Sequence, residues 1–305
     1  MLKLLLTRLR QGHRTTIYPL EEPRLPERFR GRPILDETKC PAGCEACIES
    51  CPTSAIALRD DRLALDLGRC LYCTECVSAC PAGAVAFSND FRMAARSRDE
   101  LVVQGDTELR ARALDDKLRR LFGRSLKLRQ VSAGGCNACE ADVNVLGTVV
   151  FDLGRFGIQF VASPRHADGL LITGPVTQNM KLALKKTYDA VPAPKIVIAV
   201  GACAISGGPY VDHPEACDGA GDVVPVDMYI PGCPPHPFTI LDGLLRLLGS
   251  IEGDAALSSS WSRRARVTAR AIQEENRAVS HRQVPAEAAA RYLGAEVDAD
   301  DRSRS

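Results

Sequence analysis

The second half of the chain is marked by three short, mostly apolar runs rich in β-branched residues: Ile158-Gln159-Phe160-Val161, Gly169-Leu170-Leu171-Ile172-Thr173 and Ile196-Val197-Ile198-Ala199-Val200. Runs of this kind are too short for buried helices and read as central strands of a parallel sheet. Helical spacing between them, at Ala141 to Arg155 and Asn179 to Val191, makes residues 126–250 a doubly wound, flavodoxin-like α/β domain. Its functional groups should gather in loops beyond the carboxyl ends of the strands. In the first half, Ile56-Ala57-Leu58 and Leu63-Ala64-Leu65 flank Arg59-Asp60-Asp61-Arg62 as a hairpin, and Ala84-Val85-Ala86-Phe87 supplies a closing strand, giving a small α+β module over 36–90. Thr107 to Phe122 favours helix, with Gly123 as its stop, so 91–125 reads as a helical connector. Leu2, Leu5, Leu6 and Leu9 form a helical stripe beside Lys3, Arg8 and Arg10, fit for a membrane surface, a partner groove or the chain's own core. Pro19, Pro23, Pro26 and Pro33 turn the rest of 1–35 into an extended strap. The segment 251–305 is Ser- and Arg-rich from Ser258 to Arg270 and acidic from Glu296 to Asp301, and reads as part helix, part disordered tail.

Cysteine spacing supplies the chemistry. Cys40-Cys44-Cys47-Cys51 and Cys70-Cys73-Cys76-Cys80 are two four-cysteine runs, each closed by a proline, Pro52 or Pro81. In two-cluster ferredoxins the first three cysteines of a run hold one 4Fe-4S cluster and the fourth reaches across to the other. By that rule Cys40, Cys44, Cys47 and Cys80 form one ligand set, and Cys70, Cys73, Cys76 and Cys51 the other. Pro41-Ala42-Gly43 is one residue longer than the usual spacer, and Gly43 can supply the turn this demands. Structural zinc is the alternative, although paired runs each ending in Cys-Pro are foreign to zinc modules. Cys136, Cys139, Cys203 and Cys233 fall in loops at the strand ends of the α/β domain, beside Gly134, Gly135, Gly201 and Gly232. Four thiolates converging there would hold a third cluster; zinc or ordinary buried thiols are the alternatives.

Composition narrows the rest. With 39 basic and 38 acidic residues among 305, nothing favours nucleic acid. The clustered cysteines and the lack of a signal peptide suggest reduced thiols in the cytoplasm, and no apolar stretch suits a membrane span, so membrane association would be peripheral or through partners. No Walker or dinucleotide glycine fingerprint is present, and a flavodoxin-like sheet does not by itself imply a flavin.

Four stretches then match a known family: Gly135-Cys136-Asn137-Ala138-Cys139-Glu140; Ser163-Pro164-Arg165-His166-Ala167-Asp168 leading to Thr173-Gly174-Pro175-Val176-Thr177; Gly201-Ala202-Cys203; and Val226 to Pro235, which includes Cys233. Together they resemble the small subunit of membrane-bound, energy-converting group 4 nickel-iron hydrogenases, homologous to the complex I subunit nearest the quinone. The leucine stripe, Tyr18-Pro19-Leu20, Phe29-Arg30-Gly31-Arg32-Pro33 and both cysteine runs resemble the separate ferredoxin-like subunit of the same complexes, here fused. The resemblance implies a non-catalytic electron-transfer subunit with three 4Fe-4S clusters, on the inner face of the cell membrane. Its implied partners are a nickel-iron large subunit, integral membrane subunits and a soluble redox partner such as ferredoxin or a formate dehydrogenase subunit. Cys136 and Cys139 stand two residues apart, as in hydrogenases, where complex I has adjacent cysteines; a complex I-like or nickel-free relative is the alternative.

Several other residues invite a role. Glu140 and Asp142 follow the second cysteine of the α/β set and suit proton transfer if burial raises their pKa, or simply a helix N-terminus. Arg165 and His166 read as structural, and Cys217 as a free thiol near the last cysteine loop.

Overall fold

The computed structural model describes residues 14–60, 62–105, 111, 113–114, 116–122, 125–252 and 256–257, together with 3, 4 and 7. Most of the leucine stripe, Gly123 and nearly all of the 251–305 tail lie outside these residues. Residues 18–261 make one compact unit; 1–17 and 262–305 are grouped apart from it.

The strap runs through turns without regular structure until β1 (Pro33–Leu35), which pairs antiparallel with β4 (Val85–Phe87). Between them lie α1 (Ala46–Glu49), the antiparallel hairpin β2 (Ile56–Arg59) and β3 (Arg62–Asp66), and α2 (Glu75–Ala79). The connector departs from the helix expected over 107–122. Among its described residues it contributes β5 (Val102–Gln104), a third strand beside β3, and α3 (Asp116–Phe122), with Ala111, Ala113 and Leu114 outside the helix. Leu114, just before this helix, is buried and donates its N–H to the Leu247 carbonyl at 2.9 Å, so tertiary pairing overrides helix propensity there.

The α/β part is a five-stranded parallel sheet. Its strands are β6 (Leu126–Ser132), β7 (Ile158–Phe160), β8 (Gly169–Thr173), β9 (Ile196–Val200) and β10 (Met228–Ile230), in the spatial order β10-β9-β8-β6-β7. Counted within the sheet this is the flavodoxin-like 2-1-3-4-5 order, with a switch point between β6 and β8. Alternate residues feed two cores. Leu170, Ile172, Val197 and Ala199 join Leu67, Cys70, Met93 and Ile205 on one side; Leu126, Leu128, Leu171 and Ile198 pack with Phe91 and Leu244 on the other. The first core continues without a break into the cysteine-rich module. Ala95 exchanges backbone hydrogen bonds with Tyr229 of β10 at 3.0 and 2.9 Å, and the Ser206 hydroxyl donates to the Gly68 carbonyl at 2.8 Å.

The helices are α4 (Ala138–Val145), α5 (Gln178–Ala190), α6 (Ala202–Ser206) and α7 (Pro237–Leu247). α5 matches the expected segment. α4 stops well before Arg155, because Gly147 and the run Thr148-Val149-Val150 are poor helix formers. Every residue of α7 is buried, and its Asp242 and Arg246 pair at 2.9 Å inside the core, where the Tyr18 hydroxyl also donates to Asp242 at 2.6 Å. Among the described residues no helix is long and apolar enough to cross a membrane.

Candidate metal centres

The two cysteine runs fold as near copies. In each, a left-handed residue stands immediately before the second cysteine, Gly43 at φ 72° and Tyr72 at φ 55°. The longer first spacer is accommodated as expected: Gly43 takes the positive φ, with Cys44 donating to the Pro41 carbonyl at 3.1 Å. After each Cys-Pro a second left-handed residue, Ser54 or Gly83, turns the chain so that the next amide points back at sulfur. Ala55 N–H reaches Cys51 Sγ and Ala84 N–H reaches Cys80 Sγ, both at 3.2 Å. Tyr72 N–H reaches Cys70 Sγ at 3.4 Å.

Electrostatic coupling shows which thiols come together. Burial pushes the Cys47 thiol up, and the charges of Cys40, Cys80 and Cys44 add to it. Burial likewise pushes Cys70 up to about 12 against the opposing Tyr72 amide, with Cys76, Cys51 and Cys73 adding to the rise. The structure therefore brings Cys80 to the first run and Cys51 to the second. At Cys80 burial works to raise the pKa, yet the amides of Ala84, Ala82, Val85 and Gly83 together carry the thiol below its usual value.

The α/β thiols come from three loops. Gly134 and Gly174 cross closely beneath the first: a Cβ on Gly134 would lie 2.4 Å from Thr177 Cγ2, and one on Gly174 2.5 Å from Gly135 N. Cys136 precedes the left-handed Asn137 and Cys139 lies in the first turn of α4, Cys203 lies in α6 just beyond β9, and Cys233 follows β10. Burial raises the Cys139 thiol, with Cys203, Glu140, Cys233 and Cys136 adding to it; burial and the charges of Cys233 and Cys136 push Cys203 up to about 11. The three sets are also coupled in series. Cys76, raised to about 11 by burial and then by Cys51 and Cys73, feels Cys47 of the first set. Cys233, raised by burial and Cys136, feels Cys73 of the second.

Four thiols that repel one another as thiolates suit a multivalent cationic group, which removes that repulsion on binding. Among the described residues no three His, Cys, Asp or Glu side chains converge closely enough for a single ion. The donors of the two runs are all thiols, the chemistry by which 4Fe-4S groups are held.

The two carboxylates behave differently from one another. Glu140 is buried, and although burial alone would raise it, the hydroxyls of Ser132 and Thr173, each 2.7 Å from Oε1, hold it below its ordinary value. The raised pKa that proton transfer would need is thus absent at Glu140, which fits the alternative of a helix N-terminal carboxylate, and present at Asp142, which burial pushes up. Asp142 shares a cleft of about 340 Å³ with Cys233, His236, Arg28, Arg30 and Tyr72. His236, unremarked in the sequence, caps α7 by accepting from Phe238 N–H at 3.2 Å, stacks on Phe238 and meets Phe29 edge to face. Arg165 and His166 lie in a short 3-10 turn, both exposed. Cys217 is buried and free, with its N–H on the Val176 carbonyl at 3.0 Å.

The family model for the NADH ubiquinone oxidoreductase 20 kDa subunit matches residues 136–247, from the first α/β cysteine to the end of α7, and that for a 4Fe-4S dicluster domain matches 39–84. A probable membrane-bound hydrogenase subunit of Pyrococcus furiosus is 42% identical over 132 residues, covering 43% of this chain and 79% of its own length. The chain belongs to the NADH ubiquinone oxidoreductase 20 kDa subunit family. Formate hydrogenlyase subunit 7 of Escherichia coli is 46% identical over 129 residues, 42% of this chain and 51% of that one. An NADH-quinone oxidoreductase subunit of Clostridium beijerinckii is 46% identical over 114 residues, 37% of this chain and 68% of that one. This 20 kDa-type chain thus carries an additional 4Fe-4S dicluster module whose matched span includes all eight cysteines of the two runs.

Proposed function

We propose that the chain is the electron-transfer subunit of a membrane-associated, energy-converting nickel-iron hydrogenase, holding three 4Fe-4S clusters. The observation that carries this reading is the succession of three thiol sets, neighbours being coupled through Cys47 and Cys76 and through Cys73 and Cys233. Cys40, Cys44, Cys47 and Cys80 would hold the outer group, Cys70, Cys73, Cys76 and Cys51 the middle one, and Cys136, Cys139, Cys203 and Cys233 the inner one. Bound there, 4Fe-4S groups supply reversible one-electron chemistry. The chain's own part is to fix the spacing, exclude water and stabilise negative charge on sulfur with amide donors such as those of Ala55, Tyr72 and Ala84. The inner set faces the nickel-iron large subunit in this reading, and the outer set faces a soluble donor or acceptor. The assembled complex reduces protons or oxidises hydrogen at the cytoplasmic face of the membrane, anchored by its integral subunits.

Anaerobic purification should yield about twelve irons and as many acid-labile sulfides per chain, with paramagnetic resonance signals from the reduced form. Stoichiometric zinc without sulfide would overturn the cluster reading. A complex I-like, nickel-free assembly is the second reading, favoured by the similarity to the Clostridium protein. Nickel in the co-purified complex, with hydrogen-deuterium exchange activity, decides between them.

A further inference from the structure

The strap residues Phe29 to Pro33 reach the loops of both the middle and the inner thiol sets. Phe29 packs edge to face on His236, three residues after Cys233. Arg30 Nη1 donates to the Tyr72 carbonyl at 2.6 Å, immediately before Cys73. Behind them the strap is anchored: Gly31 N–H donates to Ser88 O at 2.9 Å, Arg32 N–H to Asp90 O at 2.8 Å, and a Cβ on Gly31 would collide with the Asp90 carbonyl.

Tyr72 itself is strained. At φ 55° its Cβ crowds the backbone carbonyl, and the equivalent place in the first run holds Gly43, which adopts its φ of 72° freely. Tyr72 stays left-handed because it is held at three points. Its N–H bonds Cys70 Sγ at 3.4 Å, its hydroxyl donates to Met93 Sδ at 3.2 Å, and its carbonyl takes the Arg30 guanidinium. A backbone outlier locked in this way between two ligand positions is where strain serves a function.

Resting on the cluster reading above, we infer that Arg30 is a positioning residue that sets the potential of the middle site and fixes the Cys73 loop against the Cys233 loop. Two effects act in the same direction. The fixed positive charge favours the reduced, more negative state of a group held by Cys70, Cys73, Cys76 and Cys51. The clamp also keeps the Tyr72 amide on Cys70 sulfur, and donors to sulfur raise reduction potentials. Arg30 is exposed, so solvent screens its charge and the effect is modest.

The test is a redox titration of the full chain followed by paramagnetic resonance, comparing the unsubstituted protein with Arg30→Gln and Arg30→Lys, and assigning the signals with Cys44→Ala. Arg30→Gln should lower the reduced-to-oxidised ratio of the middle site about three- to tenfold at a fixed applied potential, the upper figure being ~59 mV for a one-electron couple. The outer site should not move, and Arg30→Lys, which keeps the charge but loses the planar fork, should fall between. An unchanged middle potential in Arg30→Gln, or an equal shift of both ferredoxin-type signals, would overturn the inference. If Arg30→Gln fails to load the middle site, Arg30→Lys decides: an intermediate shift supports the clamp and an unchanged potential overturns it. Absence of cluster signals from the unsubstituted chain would overturn the cluster reading and the clamp together, whereas intact signals that ignore Arg30 would overturn the clamp alone.

Discussion

Replacing Gly201 with Ala should empty the inner site while leaving the two outer ones loaded. Gly201 has φ 90° and ψ 153°, a region that is almost exclusively glycine's, and forcing a side chain there costs about 1–3 kcal/mol. The added Cβ would lie 2.5 Å from Cys139 Sγ. Non-bonded heavy atoms prefer ~3.5–4.0 Å, so the sulfur must retreat by about 1 Å. Cys139 is anchored in the first turn of α4, beside the Glu140 carboxylate that Ser132 and Thr173 hold, so that retreat moves a ligand and not a free side chain. Iron and sulfide should fall by about a third, and only the inner signal should vanish. Gly43→Ala is the control: it is also left-handed, at φ 72°, but its Cβ meets nothing within 4 Å. It should cost stability through backbone strain alone and keep its iron. Full loading of Gly201→Ala, or equal iron loss in Gly43→Ala, would refute the argument that contact with Cys139, and not glycine strain in general, makes this position intolerant.

Three further outcomes are expected. Arg246→Leu leaves Asp242 charged in a fully buried helix and should cost about 3–5 kcal/mol in denaturant unfolding, while adding Asp242→Leu should recover much of the loss; equal instability of single and double variants would contradict this account. Tyr18 has its pKa raised far above the ordinary 10.0, by burial first and then by Asp242, so its contribution to stability is full below pH 10 and is lost as the pH climbs toward the folded-state value. Tyr18→Phe should remove that alkaline loss, and an identical pH profile in both proteins would show that Tyr18 does not titrate on unfolding. Cys73→Ala in the assembled complex should abolish hydrogen production from the natural donor yet spare hydrogen-deuterium exchange, which needs no external electrons; retention of both would reveal a route around the middle site.

Local chemistry was readable in the sequence where it is dense. The paired runs, the turn at Gly43, the hairpin around Asp60 and the central strands β8 and β9 each follow from a few adjacent residues. What escaped depends on distant partners. α7 carries Thr239, Asp242 and Arg246 at helical spacing, but this polar stripe is buried with the rest of the helix and meets Tyr18 from far along the chain, so it does not mark a solvent face. β6 alternates, with Leu126 and Leu128 buried and Lys127 exposed, and does not show the continuous apolar run expected of a central strand. Leu114 shows no helix because it pairs with Leu247, far along the chain. At the site, the two four-cysteine runs were plain in the spacing, but the low pKa of Glu140 required Ser132 and Thr173, and the contacts of Arg30 and Phe29 join residues with no common pattern.

In the ligand sets proposed above Cys51 and Cys80 are exchanged between the two runs, which has a consequence for biogenesis. Neither outer pocket can close from its own segment, so during synthesis the ribosome must have released the chain beyond Cys80 before the first ligand set is complete. The second set, in turn, borrows a cysteine made well before its own three. Maturation of the pair is then concerted, and a scaffold delivering iron and sulfide would meet a single assembled cradle. A nascent chain arrested before Cys80 would be expected to hold neither pocket in finished form.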